Sequence, residues 1–257
     1  MPVSTPPVSF TREGSVAHIK MHGRHGNALN DDLLQGLQAA FAQAAGDAEV
    51  RGVLLSTGGK LFSPGLDLQE LLPLDRTQMD RFMEFFASTI FAIYTHPRPV
   101  VAALSGHAVA GGCILALACD LRILRRDVRI GLNEVKVGVP LPYAVAQLLR
   151  ETVHRPSLPE IAMLGRNYSN EEALAVGLAH ELHPEEEFRA ACGRRVAEFC
   201  DRGTEALART KSYLHQPTVD RILARDGELR SEFLDCWFSD TTRARILEVV
   251  QSLKKRS

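Results

Sequence analysis

From residue 100 to residue 119 the chain carries no Asp, Glu, Lys or Arg, although charged residues make up 24% of the whole. A stretch that apolar must be buried. Val100-Val101-Ala102-Ala103-Leu104 reads as a strand, and residues 113–119 read as a buried helix, with Gly111-Gly112 turning the chain between them. A helix that starts there leaves backbone N–H groups without partners, and they favour negative charge. Glycine lets a ligand approach those groups closely. The segment alone is better served by close packing of its small residues, because Gly-Gly before an apolar helix is a weak signal.

The surroundings supply the rest of a mixed α/β body. Residues 8–22 alternate as a hairpin about Glu13-Gly14, and Asn30 is a good N-cap for an amphipathic helix. Residues 52–56 form a short buried strand, and residues 75–94 a long amphipathic helix. Between them, Pro64-Gly65 signals a sharp turn that puts the Leu66 amide near a helix start. Residues 121–124 and 128–134 read as strands, the second ending on Glu134. Helices are expected over 143–151, 158–164 with Gly165 as C-cap, 170–176, 185–200, 204–213, 219–238 and 241–254, with a strand at 178–182.

The composition excludes several function classes. A formal net charge of -1 gives no support for nucleic-acid binding. No apolar run approaches a membrane span, and the first residues lack the pattern of a secretory signal. Lys254, Lys255 and Arg256 read as a solvated tail. The five cysteines match no zinc spacing and point to a reducing compartment, most simply the cytoplasm. His180-Glu181-Leu182-His183 lacks the helical spacing of a zinc protease, so no metal is expected. Ser105-Gly106-His107 lacks a nucleophile elbow. Glu134 stands among apolar residues, where a carboxyl pKa rises toward that of a general base; a solvent-facing Glu on a half-buried strand is the other reading.

Three segments together resemble the crotonase superfamily of enoyl-CoA hydratases and isomerases. Phe62-Ser63-Pro64-Gly65-Leu66-Asp67-Leu68 is similar to its F-x-x-G-x-D-[LI] motif. Residues 105–120 are similar to N-G-x-x-x-G-G-G-x-x-L-A-x-x-C-D, and residues 130–140 to F-x-x-P-E-x-x-x-G-x-x-P. Asn27-Ala28-Leu29 matches a further family segment near the CoA entrance. The order and spacing cover nearly the whole chain. Pro64, Ser105 and Ala110 stand where relatives often carry Ala, Asn and Gly.

The resemblance implies a spiral of ββα units, with a core over residues 1–195 and a helical C-terminal trimerisation region over 196–257. It implies an acyl-CoA thioester substrate, no separate cofactor, and a homotrimer or hexamer. The Leu66 and Gly111 amides would form an oxyanion hole. Ala28, Ser63, Pro64, Gly65, Asp67, Leu68, Asn133 and Ile114 would shape the substrate site. Family hydratases use two glutamates; one position holds Glu134 here, and the other holds Ile114. An Ile can neither accept nor donate a proton. The expected reaction is therefore the shift of a 3-enoyl-CoA double bond to trans-2-enoyl-CoA, as in mitochondrial-type Δ3,Δ2-enoyl-CoA isomerases, with Glu134 as the single acid/base. A hydratase-like or dienoyl-isomerising enzyme and a non-catalytic CoA-ester-binding protein are the alternatives. Arg24 is a candidate for a CoA phosphate, and Phe82, Phe86 and Phe91 either line an acyl tunnel or pack in the core.

Overall fold

A computed structural model describes residues 6–254. Lys255, Arg256 and the side chain of Lys254 lie outside the described residues, as does the start of the N-terminal segment. The hairpin forms as expected: β1 (Val8–Glu13) and β2 (Val16–Met21) pair antiparallel, Glu13 opposite Val16. A short turn, α1 (Arg24–Asn27), replaces the expected polar loop. Asn30 then caps α2 (Asp31–Gly46), its side-chain oxygen accepting from the Leu33 amide at 3.1 Å.

From here strands alternate between two sheets. β3 (Gly52–Thr57), β5 (Val100–Leu104) and β7 (Leu121–Arg125) enter one; β4 (Leu61–Ser63), β6 (His107–Val109) and β8 (Arg129–Gly131) enter the other. Each turn of the spiral thus adds one strand to each sheet, in parallel register. The helices between are α3 (Leu68–Leu71), α4 (Arg76–Tyr94), α5 (Gly111–Leu117) and α6 (Glu134–Val137). Asp75 opens α4 with a capping box closed by Gln78. After α7 (Tyr143–Thr152) and α8 (Leu158–Ala162), β9 (Asn167–Ser169) closes the four-stranded sheet. α9 (Asn170–Ala175) then leads to β10 (Glu181–His183) at the edge of the six-stranded one. This is the α/β crotonase-type spiral that the resemblance implies.

Several boundaries differ from expectation. The strand expected at 178–182 begins at Glu181, because the Leu178 and Ala179 amides bond the Ala173 carbonyl at the end of α9. The strand expected to reach Glu134 ends at Gly131, and Glu134 opens α6 instead. Residue 195 falls inside α10 (Glu185–Cys200), which packs on β3, β5 and β7, and α11 (Thr204–Leu223) follows it. α11 runs through Pro217, where a break was expected. The lost bond would have gone to the carbonyl of Tyr213, a solvent-exposed residue, so water can replace it. The break comes at Ala224-Arg225, before α12 (Asp226–Trp237) and α13 (Asp240–Lys254).

The charge that ends the opening stretch has a structural task. Asp120 accepts from the Val100 amide at 2.7 Å and pairs with the buried Lys211 ammonium at 2.6 Å, which ties α11 to the end of the six-stranded sheet.

Candidate active site

Leu66 forms an isolated parallel bridge with Leu29. Its bonds run from the Leu29 amide to the Gly65 carbonyl (2.8 Å) and from the Asp67 amide to the Leu29 carbonyl (2.9 Å). Both use the neighbours of Leu66, so the amide of Leu66 itself faces the other way and has no protein acceptor among the described residues. The donor is free, but for a reason other than the expected helix start: α3 begins later, behind its N-cap Asp67.

The second amide without a protein acceptor among the described residues is that of Gly111, the first residue of α5. The turn before it is held by the Ala110 amide on the Gly131 carbonyl (2.9 Å) and the Ile114 amide on the Ala110 carbonyl (3.0 Å). Ala110 adopts φ 49°, ψ −125°, a conformation ordinarily left to glycine.

Both turns open onto a cavity of about 150 Å³. Pro64, Leu66 and Leu68 reach it from one turn, Gly111 and Ile114 from the other, and Asn133 and Glu134 from the start of α6. Ala28, Ser63, Gly65 and Asp67, also expected at the substrate site, are not among the residues that line the cavity. The Ser63 hydroxyl accepts from the Gly65 amide at 3.2 Å. The Asp67 carboxylate caps α3 and meets His25 Nδ1 at 2.8 Å. Arg24 lies with Asp32 on the exposed surface, at 3.5 Å.

Glu134 is the one carboxylic acid among the described residues that line the cavity, and it faces apolar neighbours. It is only 7% exposed, and neither carboxylate oxygen has a hydrogen-bond partner among the described residues. Burial pushes its pKa up to about 7; the amides of Glu134 and Asn133 nearby pull it back only in part. Asn133 is the N-cap of α6 but makes no side-chain cap bond, so its amide group is left for the cavity it lines.

Of the rest of the wall, the sequence offered only Phe86 as a candidate. Met83 and Phe86 come from α4, and Phe233 and Trp237 from α12, with Val249 of α13. Phe86 thus faces the cavity, whereas Phe82 packs in the core and Phe91 lies against it. The Phe233–Trp237 spacing places both rings on one helix face, but spacing does not say what that face covers. Here α12 and α13 roof the site of their own chain. Arg230 donates to Asp80 of α4 (2.7 Å), Arg243 to the Leu72 carbonyl (2.8 Å) and Thr242 to the Gly138 carbonyl (3.0 Å).

The chain belongs to the enoyl-CoA hydratase/isomerase family of the crotonase superfamily, whose model matches residues 11–252. It is similar to a probable enoyl-CoA hydratase of Bacillus subtilis (strain 168), 28% identical over 227 residues, which is 88% of this chain and 87% of that one. It is also similar to the mitochondrial enoyl-CoA delta isomerase 1 of Homo sapiens, 27% identical over 244 residues, 93% of this chain and 80% of that one. The crystal structure of human mitochondrial delta3-delta2-enoyl-CoA isomerase matches with a TM-score of 0.92 at 26% identity, covering 98% of this chain and 99% of the other. Hydratases and isomerases occur among the relatives at similar identity, so these likenesses define an enzyme family rather than one reaction.

Proposed function

We propose that this enzyme is a Δ3,Δ2-enoyl-CoA isomerase. The observation that carries the reading is the pairing of Glu134 with Ile114: one acid/base group lines the cavity, and the position that holds the second acid in hydratases is apolar. Adding water across a double bond needs groups that divide a proton and a hydroxide between two carbons. Moving a double bond needs one group that takes a proton from one carbon and returns it to another.

In the proposed mechanism the thioester oxygen of a 3-enoyl-CoA accepts from the Leu66 and Gly111 amides. Glu134 removes a proton from C2, and the C–H electron pair enters a dienolate whose charge those two amides hold. The protonated Glu134 then donates to C4, which leaves the double bond between C2 and C3. A carboxyl with a pKa of about 7 suits both halves, because it gives up and recovers a proton with little penalty near neutrality. Asn133 orients the substrate beside it. Coenzyme A enters as part of the substrate, and the reaction calls for no further cofactor.

We assign the same enzyme a homotrimeric or hexameric state, supported by the exposed Tyr213, Leu214 and Leu223 of α11. A cytoplasmic setting is supported by the five free cysteines. Among the described residues, no helix is long and apolar enough to cross a membrane.

The test is to supply 3-hexenoyl-CoA and 2-hexenoyl-CoA separately. Conversion of the first to the trans-2 isomer, with little hydration of the second, is expected. Efficient hydration without a double-bond shift would overturn the isomerase reading.

A further inference from the structure

The active-site cavity shares a wall with a second, smaller one. The second is about 20 Å³, room for a single water molecule, and lies between α4, α7 and α12. Met83, Phe86, Pro142 and Phe233 line both. Met83, Phe86 and Phe233 are each 3% exposed, so packing holds them in place. The far side of the small cavity carries an ion pair, Arg230 to Asp226 at 3.2 Å, with Asp80 also bound to Arg230.

We propose that this wall is the acyl-length stop, and that the site takes thioesters of short acyl chains, about six carbons long. The inference rests on the acyl-CoA reading of the site but not on which reaction occurs there. An apolar protein cavity of about 150 Å³ accommodates benzene, which is about six carbon atoms. A longer chain has to displace Phe86 or Phe233, or push its end into the small cavity. There it meets the Asp226–Arg230 pair, and an alkyl end cannot replace the solvation that such charges need.

The chain has a single tryptophan, and Trp237 lines the active-site cavity. Its fluorescence therefore reads acyl seating directly. Saturated acyl-CoAs are suitable probes, because neither an isomerase nor a hydratase turns them over. Butanoyl-, hexanoyl-, octanoyl- and decanoyl-CoA are titrated into the whole protein, with calorimetry in parallel. Affinity is expected to rise about fourfold per added methylene up to about six carbons, then level or fall. In Phe86→Ala the two cavities merge, and the break is expected to move to longer chains. Phe233→Leu, a milder change, shifts it in the same direction, and circular dichroism checks the fold of each variant.

A smooth rise through decanoyl-CoA in the unaltered protein would overturn the wall while leaving the acyl-CoA reading intact. So would a folded Phe86→Ala variant with an unmoved break. Failure to bind any of the four esters would instead remove the acyl-CoA reading, and the wall with it.

Discussion

Gly65 lies directly against Gly111: a Cβ built on Gly65 would stand 3.0 Å from the Gly111 amide nitrogen and 2.8 Å from the Ala110 Cβ. Gly65 also has φ 101°, where an L side chain is strained. The two free amides are therefore held at their spacing by backbone-to-backbone contact. Gly65→Ala is expected to force the turns apart and lower kcat/KM on the order of a hundredfold or more, the usual effect of a lost oxyanion donor. Steady-state kinetics with 3-hexenoyl-CoA, with circular dichroism as a control, would measure it. Near-normal activity would mean that the amides need no such spacing.

The pH profile should report Glu134. The free enzyme must hold it ionised, so kcat/KM is expected to climb with pH and reach half its upper plateau near pH 7, where burial places the carboxyl's pKa, at about 7. A profile that is already flat from pH 5 would assign the proton transfer to another group.

Glu134→Gln is expected to abolish turnover while saturated acyl-CoA binding survives. It also makes a stability prediction of defined sign. The folded-state pKa is raised above the ordinary 4.5, so the folded protein holds this proton more tightly than the unfolded chain. Glu134 therefore favours folding fully below about pH 4.5, and that advantage is lost as pH rises to about 7. The difference is about 3 kcal/mol. Between pH 5 and pH 8 the Gln variant should gain stability relative to the parent, as read by urea denaturation at each pH. An unchanged difference between the two proteins would contradict the buried, desolvated carboxyl.

Ile114→Glu tests the apolar side of the pair. A second carboxyl in the cavity repels the ionised Glu134, so the midpoint of the kcat/KM profile should move above 7 and the activity at neutral pH should fall. Because Ile114 is buried, stability should fall as well. Hydration of 2-hexenoyl-CoA is expected to exceed the parent's low level only in this variant. An unshifted profile would place residue 114 away from Glu134.

Ala110→Gly should relieve strain. An alanine at φ 49°, ψ −125° sits in a sparsely populated backbone region that costs about 1–3 kcal/mol, and glycine returns about 0.4–1 kcal/mol of that through its freer unfolded chain. A small net rise in Tm, with activity retained, is expected in a thermal melt. A clear drop in Tm would show that the Ala110 methyl packs better than its backbone is strained.

Much of this architecture can be read from local chemistry. Asn30 and Asp75 cap the helices that follow them, and Glu13-Gly14 turns the hairpin, because each depends on neighbours within a few residues. Glu134 and Gly111 stood out for similar reasons: a lone acid in an apolar run, and glycine before an apolar helix. The free amide of Leu66 was found but its origin was not, since the bridge to Leu29 pairs segments far apart in sequence. Phe233, Trp237 and Val249 were missed because their hydrophobic spacing is that of any packed helix. Only the tertiary fold decides that their face closes a cavity. The break expected between residues 213 and 219 is absent for a third reason: the penalty of Pro217 inside α11 depends on whether the orphaned carbonyl meets solvent.

The roof over the cavity also has a bearing on how the molecule matures. Every strand of both sheets precedes α12 and α13 in the chain. The strands and the Leu66 and Gly111 turns do not by themselves enclose Glu134. With its cavity open to water, the carboxyl would have its ordinary acidity and be a poor base. Phe233, Trp237 and Val249 of those two helices complete the apolar wall around Glu134, so its raised basicity depends on segments that follow every strand in the chain, and loss of their docking would be read directly as loss of catalysis.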